Sequence, residues 1–288
     1  MKNACGQETT PMMGSRLVGS ALLLLLIFPT LLWCGAGGLA WLLAFFALGA
    51  QLELVRLVQN FSPRVKIACG QLSFWTVVIM LGAWYVGPLH GGIWLAVLAL
   101  LATVANGIMA VHPSHLLCRT LPTALCILYI PFTLQFAALL LRSGPTEQSG
   151  IWLLAWVVCV CKLNDIGGLL TGTTFGRHSL AKEYSPNKTW EGFFGGLAFA
   201  IVGGEVLWVV GKSFGHLAQL PNQLALALAG LLAVVATLSD LLESAIKRLA
   251  MAKNSGAAIP GIGGFLDLCD SLILSLPTAY AVLQLSGR

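Results

Sequence analysis

Charge is what this sequence has least of. Of 288 residues, 16 are lysine or arginine and 11 are aspartate or glutamate, 9% together, against roughly 25% in an ordinary soluble domain. Hydrophobic residues make up 57%, and no soluble fold of this size has enough interior to hide them. That excludes a soluble enzyme or binding domain. The sequence also lacks a recognisable metal-binding cysteine pattern. Its eight cysteines are scattered, and Cys159 and Cys161 form a C-x-C with no second pair and no nearby histidine, so they read as small buried hydrophobes rather than a zinc site. There is no internal repeat and no low-complexity tail. Residues 1–16 are polar and run into an apolar stretch without a small-residue cleavage site, so that stretch is expected to stay as a span. The formal net charge of +5 does not point to nucleic acid, because lysine and arginine in such a chain mark cytoplasmic loops.

What is present is a series of apolar runs at 17–33, 37–55, 67–87, 91–111, 120–141, 150–170, 192–211, 223–243 and 265–286. The expected fold is all-α, a polytopic integral membrane protein of about eight to ten transmembrane helices at roughly 20 residues each. Residues 1–160 read as an N-terminal set of spans and 161–288 as a C-terminal region carrying cytoplasmic loops. The "CGAGG" stretch reads as a loop between the first two spans, and the run around Asp165 as one bent span or two short ones. Arg56, Arg64 and Lys66 fall in one loop, Arg177, Lys182 and Lys188 in a second, and Lys247, Arg248 and Lys253 in a third. All three are expected to face the cytoplasm.

The N-terminal half offers little chemistry. Glu53 is expected to pair with Arg56 at i+3, and His112 and His115 flank a proline turn. Ionisable residues inside apolar segments are costly and therefore functional candidates, and here they gather after residue 160 in three clusters. "LNDIGGLLTGTTFGRHSL" holds Asp165, which could simply pair with Lys162. In "SPNKTWEGFFGG", Ser185-Pro186 reads as a turn, with Lys188 and Thr189 ahead of a span. A lysine and hydroxyls near exposed helix N-terminal amides suit phosphate. In residues 239–271, Asp240, Glu243 and Lys247 share one helical face, and Asp267 and Asp270 follow a glycine-rich loop as i and i+3. Carboxylates that hold Mg²⁺ beside lysines that hold phosphate are what phosphoryl or nucleotidyl transfer needs. A transporter would spread its intramembrane charges across both halves, which this chain does not.

Together these clusters resemble the CDP-diacylglycerol synthase (phosphatidate cytidylyltransferase) family. Ser244, Ile246, Lys247, Arg248, Lys253, Gly256, Ile259, Pro260, Gly263, Gly264, Phe265, Asp267 and Asp270 fall on its signature. "SPNKTWEG" and "NDIGGLLTGTTFGRH" are similar to its upstream elements, and "LELVRL" to the glutamate-bearing end of its early span. The resemblance implies a site with catalytic Asp240, Lys247, Lys253 and Asp267, and with Ser185, Lys188, Thr189, Arg248, Gly263 and Gly264 on the substrates. It also implies Mg²⁺ on Asp240, Glu243, Asp267 and Asp270. CTP and phosphatidate or a related lipid phosphate would be the substrates, in a bacterial inner membrane with the site facing the cytoplasm. Membrane lipids are expected partners, nucleic acid is not, and a homodimer is allowed. Asn254, Ile262 and Leu268 stand where the family pattern carries aspartate, histidine and arginine. These departures leave a rival reading, a catalytically degenerate relative that binds a lipid or a partner protein.

Overall fold

A computed structural model describes residues 13–61, 67, 69–87, 92–109, 116–252, 254–260 and 263–287. Arg64, Lys66, His112, His115, Lys253 and Ile262 lie outside the described residues. The chain runs through α1 (Met13–Phe61), α2 (Cys69–Tyr85), α3 (Trp94–Met109), α4 (Leu116–Tyr129), α5 (Pro131–Arg142) and α6 (Glu147–Phe175). A small hairpin, β1 (Ser179–Ala181) and β2 (Ser185–Thr189), leads into α7 (Trp190–Ser213), α8 (Asn222–Leu249), α9 (Phe265–Cys269) and α10 (Leu272–Leu285).

Among the described residues six segments are long and apolar enough to cross a membrane: Leu25–Phe61, Thr120–Arg142, Glu147–Phe175, Trp190–Ser213, Asn222–Leu249 and Phe265–Leu285. Two shorter apolar helices, Cys69–Tyr85 and Trp94–Asn106, accompany them. This is the make-up of a helical integral membrane protein. The first two expected spans are one helical element, because "CGAGG" is a kink and not a loop. Gly35 takes φ 57°, ψ −150° inside α1, a backbone open to glycine without penalty, and the amide of Ala36 beyond it donates to Glu147 Oε1 at 2.5 Å. The stretch around Asp165 is uninterrupted helix. The expected turn at Ser185-Pro186 is corrected: both residues lie in β2, antiparallel to β1, and the turn falls at 182–184. Among the described residues the hairpin is the small sheet in an otherwise mainly helical structure.

Small residues bring α6 and α7 together. Gly192, Gly196, Ala200 and Gly204 recur every four residues on the buried stripe of α7, the pattern that lets helix backbones approach closely in a membrane. A side chain at Gly196 would collide with the Asn164 carbonyl, and one at Gly192 with that of Gly168. Trp156 Nε1 donates to the Gly204 carbonyl at 2.8 Å and Asn164 Nδ2 to Thr237 Oγ1 at 3.0 Å, so α6, α7 and α8 are tied by polar bonds as well as packing. The expected division at residue 160 falls inside α6, the helix shared by both parts of the bundle.

The buried stripe of α8 begins apolar, with Ala225, Leu228, Ala229, Leu232, Ala233 and Ala236, and ends polar at Ser239 and Glu243. The same face that packs the bundle therefore turns a carboxylate into it. Ser239 Oγ donates to the Asp270 carbonyl and accepts from the Leu274 amide at 3.3 Å, fixing the α9–α10 joint against α8.

Candidate active site

The polar residues of α6, β2, α8 and α9 meet at one end of the bundle. Asp240, Glu243 and Asp270 can each turn one oxygen to within 4.8 Å of the others. Two come from successive turns of α8 and the third from the α9–α10 joint. Lysines surround this trio. Lys188 on β2 pairs with Asp240 Oδ2, a charge contact without an aligned hydrogen bond. Lys247 donates to Glu243 Oε2 at 3.0 Å and to Asp267 Oδ1 at 2.9 Å. Lys162 on α6 reaches Asp165 at 3.3 Å, Asp270 at 3.5 Å and Ser271 Oγ at 2.9 Å. The expected Lys162–Asp165 pair is thus present, but Lys162 also joins Asp165 to the trio.

Asp267 is occupied differently. Its Oδ2 accepts from Ser255 N at 3.2 Å, Ser255 Oγ at 2.9 Å and Gly264 N at 2.8 Å. Those bonds cap the first turn of α9, where a carboxylate meets the positive end of the helix, and they close the glycine-rich loop. Asp267 is not one of the three converging carboxylates. Glu53, expected to pair with exposed Arg56, instead reaches across the bundle: its Oε2 accepts from Ser255 Oγ and from the Leu266 amide, both at 2.9 Å. Ser255 has one hydroxyl proton for the two carboxylates it touches, so Glu53, Ser255 and Asp267 form one network. Gly264 lies so close to Glu53 Oε2 and Ser255 Oγ that a side chain there would overlap them. Gly263 beside it takes φ 124°, a conformation that L side chains rarely adopt.

Of the expected residues, Lys188, Thr189 and Asp240 line a cavity of about 340 Å³, together with Asp165, Gly168 and Gly192 among others, whereas Ser185, Arg248, Gly263 and Gly264 lie outside its lining. Thr189 Oγ1 accepts from Gly192 N at 3.1 Å as the N-cap of α7. Ser185 sits in β2 opposite Ala181. Arg248 Nε donates to the Tyr184 carbonyl at 3.2 Å, holding the hairpin turn against the end of α8. Asn254 is exposed and Leu268 half-buried. Glu53, Lys162 and Asp165 are polar residues that sequence reasoning left out of the site. The signal for each was its burial cost in an apolar helix, which a neighbour at i+3 seemed to answer.

Three carboxylates offering oxygen donors suit a hard cation such as Mg²⁺. Glu243 is fully buried and its Oε1 has no partner in the protein, so an ion there would satisfy an otherwise costly acceptor. Among the described residues six carboxylates at this end, Glu53 included, face three lysines. Added positive charge is therefore favourable here. The donor set fits the metal.

Comparison with known proteins finds relatives of one kind. Residues 15–286 match the model of the cytidylyltransferase family. The chain is 33% identical over 181 residues to a phosphatidate cytidylyltransferase of Mycobacterium bovis, covering 61% of this chain and 54% of that protein. It is 35% identical over 139 residues to one of Bacillus subtilis, covering 48% and 50%, and 33% identical over 165 residues to one of Chlamydia muridarum, covering 56% and 53%. The chain spans about half the length of the curated relatives it matches.

Proposed function

The chain belongs to the cytidylyltransferase family, and on that premise we propose that it is a membrane nucleotidyltransferase making CDP-diacylglycerol and pyrophosphate from CTP and phosphatidate. An oxygen of the lipid phosphate attacks the α-phosphorus of CTP. The new P–O bond forms as the bond to the β-phosphate oxygen breaks, and pyrophosphate leaves. The substrate phosphate is itself the nucleophile, so the protein's task is to position two anions and offset their charge.

The observation that carries this reading is the place of Asp240, which belongs to the acidic trio and also pairs with Lys188 at the cavity. Asp240, Glu243 and Asp270 would hold Mg²⁺, which when bound offsets charge on the phosphates. Lys188, freed from Asp240, is placed to take a phosphate oxygen. Lys247 and Asp267 keep Glu243 and the glycine loop in register, and Arg248 keeps the hairpin over the site. Gly263 and Gly264 leave backbone open where a side chain would intrude. We further propose eight or more spans, counting the two short apolar helices with the six long ones, and a site facing the cytoplasm, where CTP is. The proximity of the hairpin turn and the end of α8 supports a common side for two of the basic loops. A homodimer is compatible with this arrangement, and the mass of the detergent-solubilised protein decides it.

The test is incubation of purified protein with labelled CTP, Mg²⁺ and a panel of lipid phosphates. The account expects a CDP-lipid with phosphatidate. The departures at Asn254, Ile262 and Leu268 favour the rival, a relative that binds lipid without turnover. Lipid binding with no CDP-lipid from any acceptor would establish that rival.

A further inference from the structure

A second cavity, of about 490 Å³, is lined by Cys34, Gly37, Trp84, Arg142 and Glu147 among others. The helical rise puts Glu147 roughly 20 Å from Lys162 along α6, and Gly37 roughly 25 Å from Glu53 along α1. The cavity is therefore at the end of the bundle away from the acidic trio. It holds one cation and one anion that do not pair. Arg142, the last residue of α5, donates from Nη1 to the Trp84 carbonyl in the last turn of α2. Glu147, the first residue of α6, accepts the Ala36 amide on Oε1 at 2.5 Å. Among the described residues neither joins an ion pair. Each is anchored to the backbone of a different element, so the two charges face one cavity without collapsing onto each other. Thr146 already caps α6, its Oγ1 accepting from Ser149 N at 3.1 Å, so Glu147 is not spent on its own helix. Glu147 Oε2 and the other guanidinium nitrogens are left for the cavity.

We propose that this cavity is a second lipid site, which takes the zwitterionic headgroup of an aminophospholipid, its phosphate on Arg142 and its primary ammonium on Glu147. The inference stands apart from the nucleotidyltransferase reading. A planar guanidinium matches the paired oxygens of a phosphate, and a carboxylate accepts from an ammonium. Opposite charges held apart on one cavity favour a ligand that carries both signs and oppose one that carries a single sign. The surroundings favour a lipid over a soluble zwitterion. Gly37 lies on an α1 face that continues into the bundle at i+4 and i+8 as Trp41 and Phe45, which are 53% and 55% exposed. That stripe leads directly from the cavity and offers acyl chains an apolar surface. Trp41 Nε1 donates to the Tyr85 hydroxyl at 3.2 Å, and exposed Trp33 adjoins Cys34. Aromatic side chains with a polar tip gather in this way at the membrane–water boundary.

The experiment titrates the purified full chain in detergent, without nucleotide, with phosphatidylethanolamine, its N-acetylated form and phosphatidylglycerol. Bound lipid is read by native mass spectrometry for wild type, Arg142→Gln and Glu147→Gln. Wild type should bind phosphatidylethanolamine about tenfold more tightly than either lipid lacking the ammonium, the effect of one charge-assisted hydrogen bond. Glu147→Gln keeps an acceptor for the Ala36 amide; it should erase that preference without weakening phosphatidylglycerol. Arg142→Gln should weaken all three lipids about tenfold, since each carries the phosphate. A wild type that binds the three lipids equally, or prefers phosphatidylglycerol, overturns the proposal, and that comparison needs no variant to fold. A Glu147→Gln protein of unchanged melting temperature that keeps the full preference overturns it as well. Turnover is not read, so a chain that forms no CDP-lipid leaves this test intact.

Discussion

Replacing Glu53 with alanine tests whether the N-terminal half builds the site. Glu53 is 4% exposed, and its carboxylate accepts from the Ser255 hydroxyl and the Leu266 amide. The Leu266 side of this contact is fully buried and Ser255 nearly so. An orphaned buried donor costs about 1–3 kcal/mol. Ser255 retains Asp267 as an acceptor, so its loss is softened, while the Leu266 amide is left without one. The total should be roughly 2–4 kcal/mol. The cavity left by the side chain opens beside Gly256 and Gly264, which pack directly on the carboxylate. The loop from Ser255 to Gly264 and its anchor Asp267 should then shift, and a displacement of about 1 Å in a phosphoryl-transfer site can cost 10²-fold in rate. The assay pairs the melting temperature in detergent with CDP-lipid turnover. Glu53→Ala should melt lower by about 5 °C or more and turn over at least about tenfold more slowly, with Glu53→Gln intermediate because one oxygen remains. A Glu53→Ala protein that melts within about 2 °C of wild type and keeps full turnover would refute the reasoning, as would Arg56→Ala reproducing the whole effect.

Three further outcomes follow from the same geometry. Asp240→Ala and Lys188→Ala should each lower turnover by about 10²-fold or more, the effect of losing one preorganised charge-stabilising group, as measured by initial rates at saturating Mg²⁺. Single cysteines at residues 182–187 and 254–260 should react with a membrane-impermeant reagent only from the cytoplasmic side, and labelling of either stretch from outside would remove its access to CTP. Asn254→Asp adds an exposed charge next to Ser255, which binds Asp267. It should move half-maximal activity to lower Mg²⁺ by a small factor, shrinking in high salt because an exposed charge is screened.

The α8 stripe shows what pattern reading can reach. Its apolar repeat and the placement of Asp240, Glu243 and Lys247 on one face follow from helical spacing alone, and the structure joins Glu243 to Lys247. The glycines of "CGAGG" misled because local propensity sees only a break. Helix resumes at Ala36 because Glu147, 111 residues away, accepts its amide. Glu53 misled for the same reason. A neighbour at i+3 offers an exposed pair worth little, whereas a buried amide and hydroxyl more than 200 residues away offer hydrogen bonds in a low dielectric. Asp267 matched the motif's position, but its role as the cap of α9 depends on Ser255 and Gly264 folding back over it. No spacing rule states that.

The most direct test of the central claim follows two labels of one substrate. Purified chain is given phosphatidate and Mg²⁺ with CTP labelled at either the α- or the γ-phosphate, and lipid and aqueous phases are counted. The account predicts that the α label enters the lipid in step with pyrophosphate release, that the γ label appears only in pyrophosphate, and that Asp240→Ala does neither. A γ label found in lipid, or no transfer of the α label at any Mg²⁺ concentration, would contradict it.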